Sequence, residues 1–392
     1  MPHQRMPRRR MPRKSWLLAL LIASGLSGAA MVSHRLLHDS NHRLIDDFRS
    51  KLQPNRTNTL LQAVSGERGQ ALRKAEYIGY HLTNQGSHDP TTIELKRFWA
   101  RVAARTNGKL NITVIGRDGD LPGADNEAIL ETSLGRFDAI TANGPIFSDI
   151  IPQAANIMTL LFAYDSSAEG LAVVSDPTFQ TVLAEAGKPF NLVFLPGFSL
   201  NSGMRVVTTS AHRTIHTHED MQGFRLRIPP SKPLAQQLSA LSIQQTPTPI
   251  TRLLDSLRSG AIDGQENPPS FIPSFGIHRV HTHVVVTNHL WTGFLTAINA
   301  TTWNAWPKEW QRIVLSELKT LQTRQWAAQE RLNQRILAEA HQRYGMTVIH
   351  PKLDAVEGNR AFVAARERIV ASLDQRLQPL ARRLIQGDLS KR

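Results

Sequence analysis

Segments with the spacing of strands alternate with segments with the spacing of helices from about residue 75 onward, and this alternation constrains the fold more than any other feature. Residues 91–105 repeat apolar side chains at helical spacing, and residues 110–114 carry them at every second position. Further strands are predicted at residues 75–82, 137–142, 191–195, 204–209 and 284–287. We expect a loop at residues 197–203. The pattern predicts an α/β fold whose strands are largely parallel.

One long helix is predicted near the carboxyl terminus. Pro307 can occupy its first turn, apolar residues recur at helical spacing to about Tyr344, and Gly345 follows directly. Such a helix would span about 55 Å at a rise of 1.5 Å per residue. Few single domains need a helix of that length, whereas a helix that runs between two lobes would be this long.

The net charge of +14 overstates how basic the body of the chain is. Residues 1–14 hold six arginines and lysines and no acid, which leaves +8 for the rest. Those charges are scattered, without a basic stripe or interleaved aromatic residues, so we expect no nucleic-acid partner. The chain contains no cysteine, and this excludes disulfides, thiolate metal sites and cysteine nucleophiles.

The amino terminus has the pattern of a targeting segment. A basic run precedes the apolar residues 16–32, which are short for a membrane-spanning helix of about 20 residues. Ser27-Gly28-Ala29 offers a cleavage site. We expect residues 1–33 to be a signal peptide, or an anchor that holds the protein to the inner membrane, and the body to be periplasmic. Residues 34–74 are polar and are predicted to be a spacer.

Two arginines lie on the strand predicted within Gly223–Pro229. Arg225 and Arg227 share one face because side chains alternate along a strand, and Pro229-Pro230 ends the strand directly after Arg227. Ligands collect at the carboxyl ends of strands in α/β sheets. A guanidinium group donates two parallel hydrogen bonds to a carboxylate and stays charged. We therefore expect Arg227 to bind a carboxylate, close to the polar turn Ile262–Pro268.

From about Ala75 to its end, the chain resembles the solute-binding proteins of tripartite ATP-independent periplasmic (TRAP) transporters, of the dicarboxylate-receptor type. The specific part of the resemblance is Gly264-Gln265-Glu266-Asn267-Pro268 with the upstream Arg227-Ile228-Pro229. Other matching segments occur in the same order: residues 96–109, 134–138, 203–205, 218–229, 246–247, 257–268, 287–289 and 303–307.

The resemblance implies a two-lobed periplasmic binding protein-like fold with crossing strands and a long interdomain helix. Lobe I would comprise residues 75–202 and 293–331, and lobe II residues 203–292 and 332–392. In this family the arginine that matches Arg227 pairs with the ligand carboxylate, the one that matches Arg205 lines the cleft, and the residue that matches Asn267 hydrogen-bonds the ligand. Asn143 falls where the first lobe offers a polar contact.

The function implied is that of a receptor that closes on a small organic acid and delivers it to TRAP membrane permease subunits, with no cofactor and no catalysis. Two alternatives remain open. Asp263 and Glu266 could serve as an acid–base pair in a hydrolase or lyase, although we expect them to brace the crossing strand. The long segment 34–74 would also suit a membrane-tethered sensor or interaction protein of the same fold.

Two further groups are weighed as candidates. His216 with His218, and His281 with His283, could each bind a metal if extended, but no carboxylate accompanies them at a defined spacing, so no metal site is expected. Trp291 follows Asn288-His289 closely enough to be a candidate ligand contact.

Overall fold

The structure is a computed structural model that describes residues 75–117 and 125–389. The predicted targeting segment and spacer, at residues 1–33 and 34–74, lie outside the described residues. Lys74–Arg392 cluster as one unit. The strands are β1 Tyr77–Thr83, β2 Leu110–Ile115, β3 Ala139–Asn143, β4 Leu192–Met204, β5 Val206–Thr209, β6 Arg225–Ile228, β7 Gln244–Pro247, β8 Gly264–Asn267, β9 His283–Val285, β10 Trp291–Asn299 and β11 Thr347–Ile349.

The helices alternate with these strands and pack on both sheets. They are α1 Pro90–Arg105, α2 Asp125–Ser133, α3 Gly144–Phe147, α4 Pro152–Ala155, α5 Ser167–Ser175, α6 Pro177–Gly187, α7 Lys232–Ala240, α8 Leu253–Arg258, α9 Phe271–Ser274, α10 Ala300–Ala305, α11 Lys308–Ala338, α12 Ala340–Tyr344, α13 Arg360–Ala371 and α14 Gln378–Ile385. Among the described residues, no helix is both long enough and apolar enough to cross a membrane.

The described residues form two sheets, and this confirms the predicted α/β fold class. The first sheet has the strand order β2-β1-β3-β10-β4, and the second has the order β11-β9-β5-β8-β6-β7. A single residue, Arg205, separates β4 from β5, so the chain passes from the first sheet into the second at that point. It returns between β9 and β10, and the Arg205 N–H donates to the Leu290 carbonyl on this return segment at 2.8 Å.

The strands are less parallel than the alternating pattern suggests. Of the nine strand pairings among the described residues, four are antiparallel, and all four involve β5 or β10. These two strands belong to the passages that cross between the sheets. The chain enters β5 and β10 directly from the other sheet, without the helical crossover connection that parallel neighbours require. The direction of these two strands is therefore set by the crossing.

The loop expected at residues 197–203 is not a loop, and that expectation was wrong. β4 continues through it and pairs with β10, with shifts of register at Thr292/Gly293 and Leu295/Ala297. Gly197 and Gly203 have φ angles of +80° and +111°, which glycine adopts without the clash of a Cβ atom. The two glycines therefore bend the strand β4, at the positions where the sequence pattern predicts a loop.

The long helix is shorter than predicted. α11 has 31 residues and ends at Glu339, where φ is −93° and ψ is 3°, before the short helix α12 continues to Gly345. Gly345 has a φ of +64° and terminates α12, as the sequence predicts. α11 packs along β4 and α1, and its carboxyl end leads through α12 into β11 of the second sheet.

The carboxyl-terminal helices contact elements that flank both sheets. α13 packs on α7 and on the turn Asn156–Thr159. We call the first sheet and the helices that pack on it the first sheet's half, and the second sheet with its helices the second sheet's half. Ile369, Leu377 and Leu384 join the core beneath α4 and α6 in the first sheet's half. The predicted division of the chain into lobes I and II stays a prediction.

A buried histidine, His81, lies in the core that packs on the first sheet. His81 on β1 is fully buried, the Trp99 indole N–H donates to its Nδ1 at 2.9 Å, and its Nε2 lies 2.8 Å from the Thr141 hydroxyl. Nδ1 is therefore an acceptor, and only the neutral ring satisfies both contacts. Burial lowers the pKa of His81 to about 3.

This histidine makes stability depend on pH. Below the ordinary histidine pKa of about 6.5, the unfolded chain binds a proton that the folded chain does not, until the pH approaches 3. Between pH 6 and 4.5, the free energy of unfolding of the wild type should fall more steeply than that of His81→Gln, by about 1.4 kcal/mol per pH unit. Urea unfolding at a series of pH values measures both slopes. Parallel slopes would contradict the assignment.

Candidate functional site

Arg227 lies at the carboxyl end of β6 and is buried, with 1% of its surface exposed. Its Nε donates to the Thr248 carbonyl at 2.9 Å, and its Nη2 donates to the same oxygen. No carboxylate of the described residues lies within ion-pair distance of it. Burial lowers the pKa of Arg227 to about 10, with Glu266 acting to raise it and Arg205 to lower it. Among the described residues this buried cation has no carboxylate partner, although burial of a charge is costly without one.

Arg227 lines a small cavity, of about 30 Å³, between elements of the two sheets. The lining residues from the first sheet's half are Asn84, Asp125, Asn143 and Ile146. Those from the second sheet's half are Arg205, Arg227, Pro229, Pro230, Ile250, Asn267 and Phe271. The structure thus brings together all four residues singled out from the sequence, Arg227, Arg205, Asn267 and Asn143. Their part in binding stays a prediction.

Arg205 pairs with Glu266, the third of the four residues of β8. Its Nη2 donates to Glu266 Oε1 at 2.8 Å, its Nε donates to the other carboxylate oxygen, and Nη2 also reaches the Glu266 carbonyl at 2.7 Å. His289 Nε2 lies 3.4 Å from the same carboxylate. Burial acts to raise the pKa of Glu266, but Arg205 and His289 outweigh it, so the carboxyl group is held below its ordinary value. The charge of Arg205 is therefore compensated inside the protein.

Asn267 is oriented by a chain of hydrogen bonds on one face of β8. Its Oδ1 accepts from Arg205 Nη2 at 3.0 Å, and its Nδ2 donates to Gln265 Oε1. Gln265 in turn donates to the Thr208 hydroxyl at 2.8 Å, and that hydroxyl lies 2.9 Å from His281 Nδ1. One amide proton of Asn267 remains for a ligand.

The long helix holds the turn that follows Asn267. Asn333 Oδ1 accepts from the Ser270 N–H at 3.0 Å, and Gln329 Nε2 donates to the Ser270 hydroxyl at 3.0 Å. Asn333 Nδ2 donates to the Ser202 carbonyl of β4 at 2.9 Å. A Cβ atom on Gly203 would lie 2.2 Å from that Nδ2, so glycine permits the close approach.

On the opposite wall, Asn143 ends β3 and Asn84 directly follows β1. Asn143 is buried, and its Oδ1 has no hydrogen-bond partner among the described residues. Asn84 Nδ2 lies 3.4 Å from Asp125 Oδ2. Asn84 is not among the residues predicted from the sequence, although it follows a predicted strand and ligands collect at the carboxyl ends of strands.

Asp125, the first residue of α2, was also missed, and no sequence signal identifies it. Its carboxylate pairs with Arg117 Nη2, and Arg117 Nε donates to the Asn84 carbonyl at 3.0 Å. Both side chains of this ion pair are largely buried, at 13% and 11% exposure. The first sheet's half therefore contributes two side-chain amides, of Asn84 and Asn143, and the Asp125 carboxylate to the lining of the cavity.

Asp263 and Glu266 do not meet as a pair. Asp263 accepts from the Arg225 backbone N–H at 2.8 Å and from Arg225 Nη2 at 2.6 Å. Burial acts to raise the pKa of Asp263, but its contacts with Arg225 lower it below the ordinary value. Each carboxylate is thus braced by its own arginine, one on each side of the strand β8.

The remaining candidates do not face the cavity. Trp291 is buried in the core, stacked on Trp326 with ring centroids 5.7 Å apart, and does not line the cavity. His281 contacts Thr208, and His283 Nδ1 lies 2.9 Å from the Thr282 hydroxyl. In the part of the chain that the structure describes, no group of three His, Cys, Asp or Glu residues could hold a metal ion.

Comparison with protein families gives one match that covers most of the chain. The family described as "Bacterial extracellular solute-binding protein, family 7" matches residues 82–370. An uncharacterised protein of Haemophilus influenzae is 31% identical over 125 residues, which are 32% of this chain and 38% of that protein. A solute-binding protein of Roseobacter denitrificans is 24% identical over 307 residues, covering 78% of this chain and 89% of that one.

Solved structures share the fold at low sequence identity. A TRAP periplasmic solute-binding protein from Sulfitobacter, with bound β-D-galacturonate, superposes with a TM-score of 0.70 at 19% identity, covering 79% of this chain and all of that chain. One from Desulfovibrio salexigens, with bound orotic acid, gives 0.71 at 17% identity, with 80% and 99% covered. These likenesses establish the two-lobed fold.

The Arg205–Glu266 pair generates a stability prediction. Glu266→Gln leaves a buried guanidinium without its counter-charge, so the free energy of unfolding should fall by at least about 3 kcal/mol. Asp255→Asn is a matched control, because the Asp255 side chain is 84% exposed. Urea unfolding of the three proteins measures the difference. A loss no greater than that of the control would contradict the role given to this pair.

Proposed function

Because the chain belongs to bacterial extracellular solute-binding protein family 7, we propose that it is the extracytoplasmic receptor of a TRAP transporter. It binds the carboxylate of an organic acid in the cleft between its lobes and delivers the acid to membrane permease subunits. Arg227 grips the carboxylate, and Arg205, Asn267 and Asn143 line the same cleft. The receptor works in the periplasm and requires no cofactor.

The observation that carries this proposal is the Arg227 guanidinium, which is buried in a cavity wall and has no carboxylate partner in the part of the chain that the structure describes. A charge withdrawn from water needs a counter-charge, and an incoming carboxylate supplies it. The planar guanidinium fits a carboxylate with two parallel hydrogen bonds. Thr248 holds the group in place through its carbonyl, so the cation is oriented before the acid arrives.

The crossing segments suit a receptor that opens and closes. Arg205 stands where β4 passes into β5, and its contacts with Glu266 and Asn267 place the crossing directly beside the cavity. Bending at the crossing strands would move Asn143 of one half relative to Arg227 of the other. The acid is then enclosed by both halves, and its release accompanies opening.

Ligands of relatives support an acid as the solute. Solved relatives of the same fold hold galacturonate and orotic acid, and both carry a carboxylate. A curated relative from Rhodobacter capsulatus is a C4-dicarboxylate-binding periplasmic protein, and one from Vibrio cholerae is a sialic acid-binding periplasmic protein. These ligands differ in size and in hydroxyl content, but each is an organic acid.

The catalytic alternative is disfavoured because Asp263 pairs with Arg225 and Glu266 pairs with Arg205. Both carboxyl groups have lowered pKa values and are engaged by arginines, so neither holds a proton to donate at neutral pH. We propose that the protein is not an enzyme. Incubation with candidate acids should return each acid unchanged, and turnover that Glu266→Gln abolishes would reverse this assignment.

Substitution of Arg227 tests the proposal. A thermal-shift screen over organic acids identifies an acid that raises the melting temperature. Arg227→Ala should then weaken the binding of that acid by about thirtyfold to several thousandfold, since one partner of a buried charge pair is removed. Arg227→Lys should also weaken it, because an ammonium group cannot replace the guanidinium fork. Isothermal titration calorimetry measures the affinities.

The neighbouring Arg225 is the matched control. It lies on the same strand, is half exposed and pairs with Asp263, so Arg225→Ala should bind the acid as the wild type does. Equal affinity in the wild type and both Arg227 variants would refute the proposal. A parallel loss in the Arg225 variant would show that the strand is disturbed and that the charge of Arg227 is not the cause.

A further inference from the structure

Two serine hydroxyls meet across the boundary between the two halves, beside the cavity and outside its lining. Ser148 follows α3 and lies two residues after Ile146, which lines the cavity. Ser231 precedes α7 and comes directly after Pro230, which lines the opposite wall. The two Oγ atoms are 3.2 Å apart, and both residues are buried. This contact therefore joins the two walls of the cavity.

The hydrogen bonds around the contact determine which serine donates. Ser148 Oγ donates its proton to the Pro145 carbonyl at 2.5 Å. A hydroxyl group carries one proton, so Ser148 is left with acceptor capacity alone. Ser231 is therefore the donor, and Ser148 is the acceptor.

Ser231 also occupies the N-cap position of α7. Serine is preferred at this position because its oxygen accepts from the N–H of the second or third helical residue. Pro233, the second residue of α7, has no N–H, which leaves the N–H of Leu234. Among the described residues, however, the Ser231 side chain makes no capping hydrogen bond. The rotamer that contacts Ser148 leaves the helix uncapped.

A second contact between α7 and the first sheet's half is of a different kind. Gln237 Oε1 accepts from the Leu161 N–H at 3.0 Å, and Gln237 Nε2 donates to the Thr159 carbonyl at 2.8 Å. The Leu161 side chain packs with Leu238 in the core of the second sheet's half. Separation at this point would expose apolar surface to water, whereas separation of the two serines would expose hydroxyls that water can solvate. The serine contact is therefore the one that can break as the halves move.

On the basis of the proposed function, we infer that Ser231 is a positioning residue of the receptor, whose hydroxyl changes partner as the halves open and close. In the closed receptor it donates to Ser148, and in the open receptor it accepts from the Leu234 N–H and caps α7. Bending that moves Asn143 away from Arg227 also separates the two serines, because each follows its cavity residue by four or five positions. The affinity for the acid thus depends on a hydrogen bond that the acid does not touch.

The reactivity of a thiol at this position tests the movement without any ligand. Ser231 and Leu238 lie on the same helix and are each 3% exposed, and the chain has no cysteine of its own. In the acid-free protein, dithiobis(nitrobenzoate) should modify Ser231→Cys at least about tenfold faster than Leu238→Cys, because opening exposes the first thiol and leaves the second in the core. Urea unfolding of both variants shows that neither reacts through global unfolding.

A double-mutant cycle tests the change of partner. The acid is the one that the thermal-shift screen identifies, with galacturonate and orotate among those screened. Ser148→Ala leaves the Ser231 hydroxyl buried without its acceptor in the closed form, so calorimetry should show a loss of affinity of about fivefold to a hundredfold. Adding Ser231→Ala removes both the unpaired hydroxyl of the closed form and the cap of the open form. This second change should restore the affinity at least about fivefold.

Two observations keep this cycle interpretable. The Pro145 carbonyl also accepts from the Ser148 N–H, so it keeps a donor in the Ser148→Ala variant. Ser239→Ala is the matched control, because Ser239 lies on α7 and its hydroxyl accepts from Gln245 within the second sheet's half. This control should bind the acid as the wild type does.

The outcomes separate this inference from the proposed function. Equal thiol reactivity of Ser231→Cys and Leu238→Cys would show that the serine contact does not open, and would overturn the inference. A further loss of affinity on adding Ser231→Ala would overturn the change of partner. Neither result touches the role of Arg227, which Arg227→Ala tests by itself.

Discussion

The buried ion pair between Arg205 and Glu266 determines how the rest of the site works. Arg205 stands at the single residue where the chain passes from one sheet to the other, and Glu266 lies in the centre of β8. Since the two charges neutralise each other, the ion pair holds the passage from β4 to β5 against β8 without a bound ligand. The same guanidinium orients Asn267, so the crossing and the cavity wall are built from one set of contacts. Arg227 is left as the cation that an external anion can neutralise.

We propose that the two buried arginines, Arg205 and Arg227, have different roles. An arginine already paired with a carboxylate gives shape and position, whereas an unpaired one gives affinity. The Arg225–Asp263 contact adds a third arrangement, a half-exposed pair that braces the start of β6. Arg205, Arg225 and Arg227 thus differ in exposure and in partner, and on our proposal these differences determine which of them contacts the solute.

Local patterns predicted much of this architecture from the sequence. The strand end at Pro229-Pro230 located Arg227, and Gly345 marked a helix end, because both depend on backbone preferences of neighbouring residues. The pairing of Arg205 with Glu266 joins positions 61 residues apart, and no local pattern encodes it. The bend of β4 at Gly197 and Gly203 was misread for the same reason, since only pairing with β10 keeps that segment extended. Asp125 lies at the cavity because of the tertiary fold, and no local sequence pattern predicts this position.

The amide side chains of α11 also limit how this helix can vary. Gln325, Gln329 and Asn333 follow one another at four-residue intervals and hold Asn201, Ser270 and Ser202 in turn. Inserting or deleting one residue between them would rotate the remainder of the helix by about 100° and shift it by about 1.5 Å. Every later amide would then leave its partner. Changes of length in homologous chains should therefore be confined to the segment beyond Ala338, where the helix has already ended.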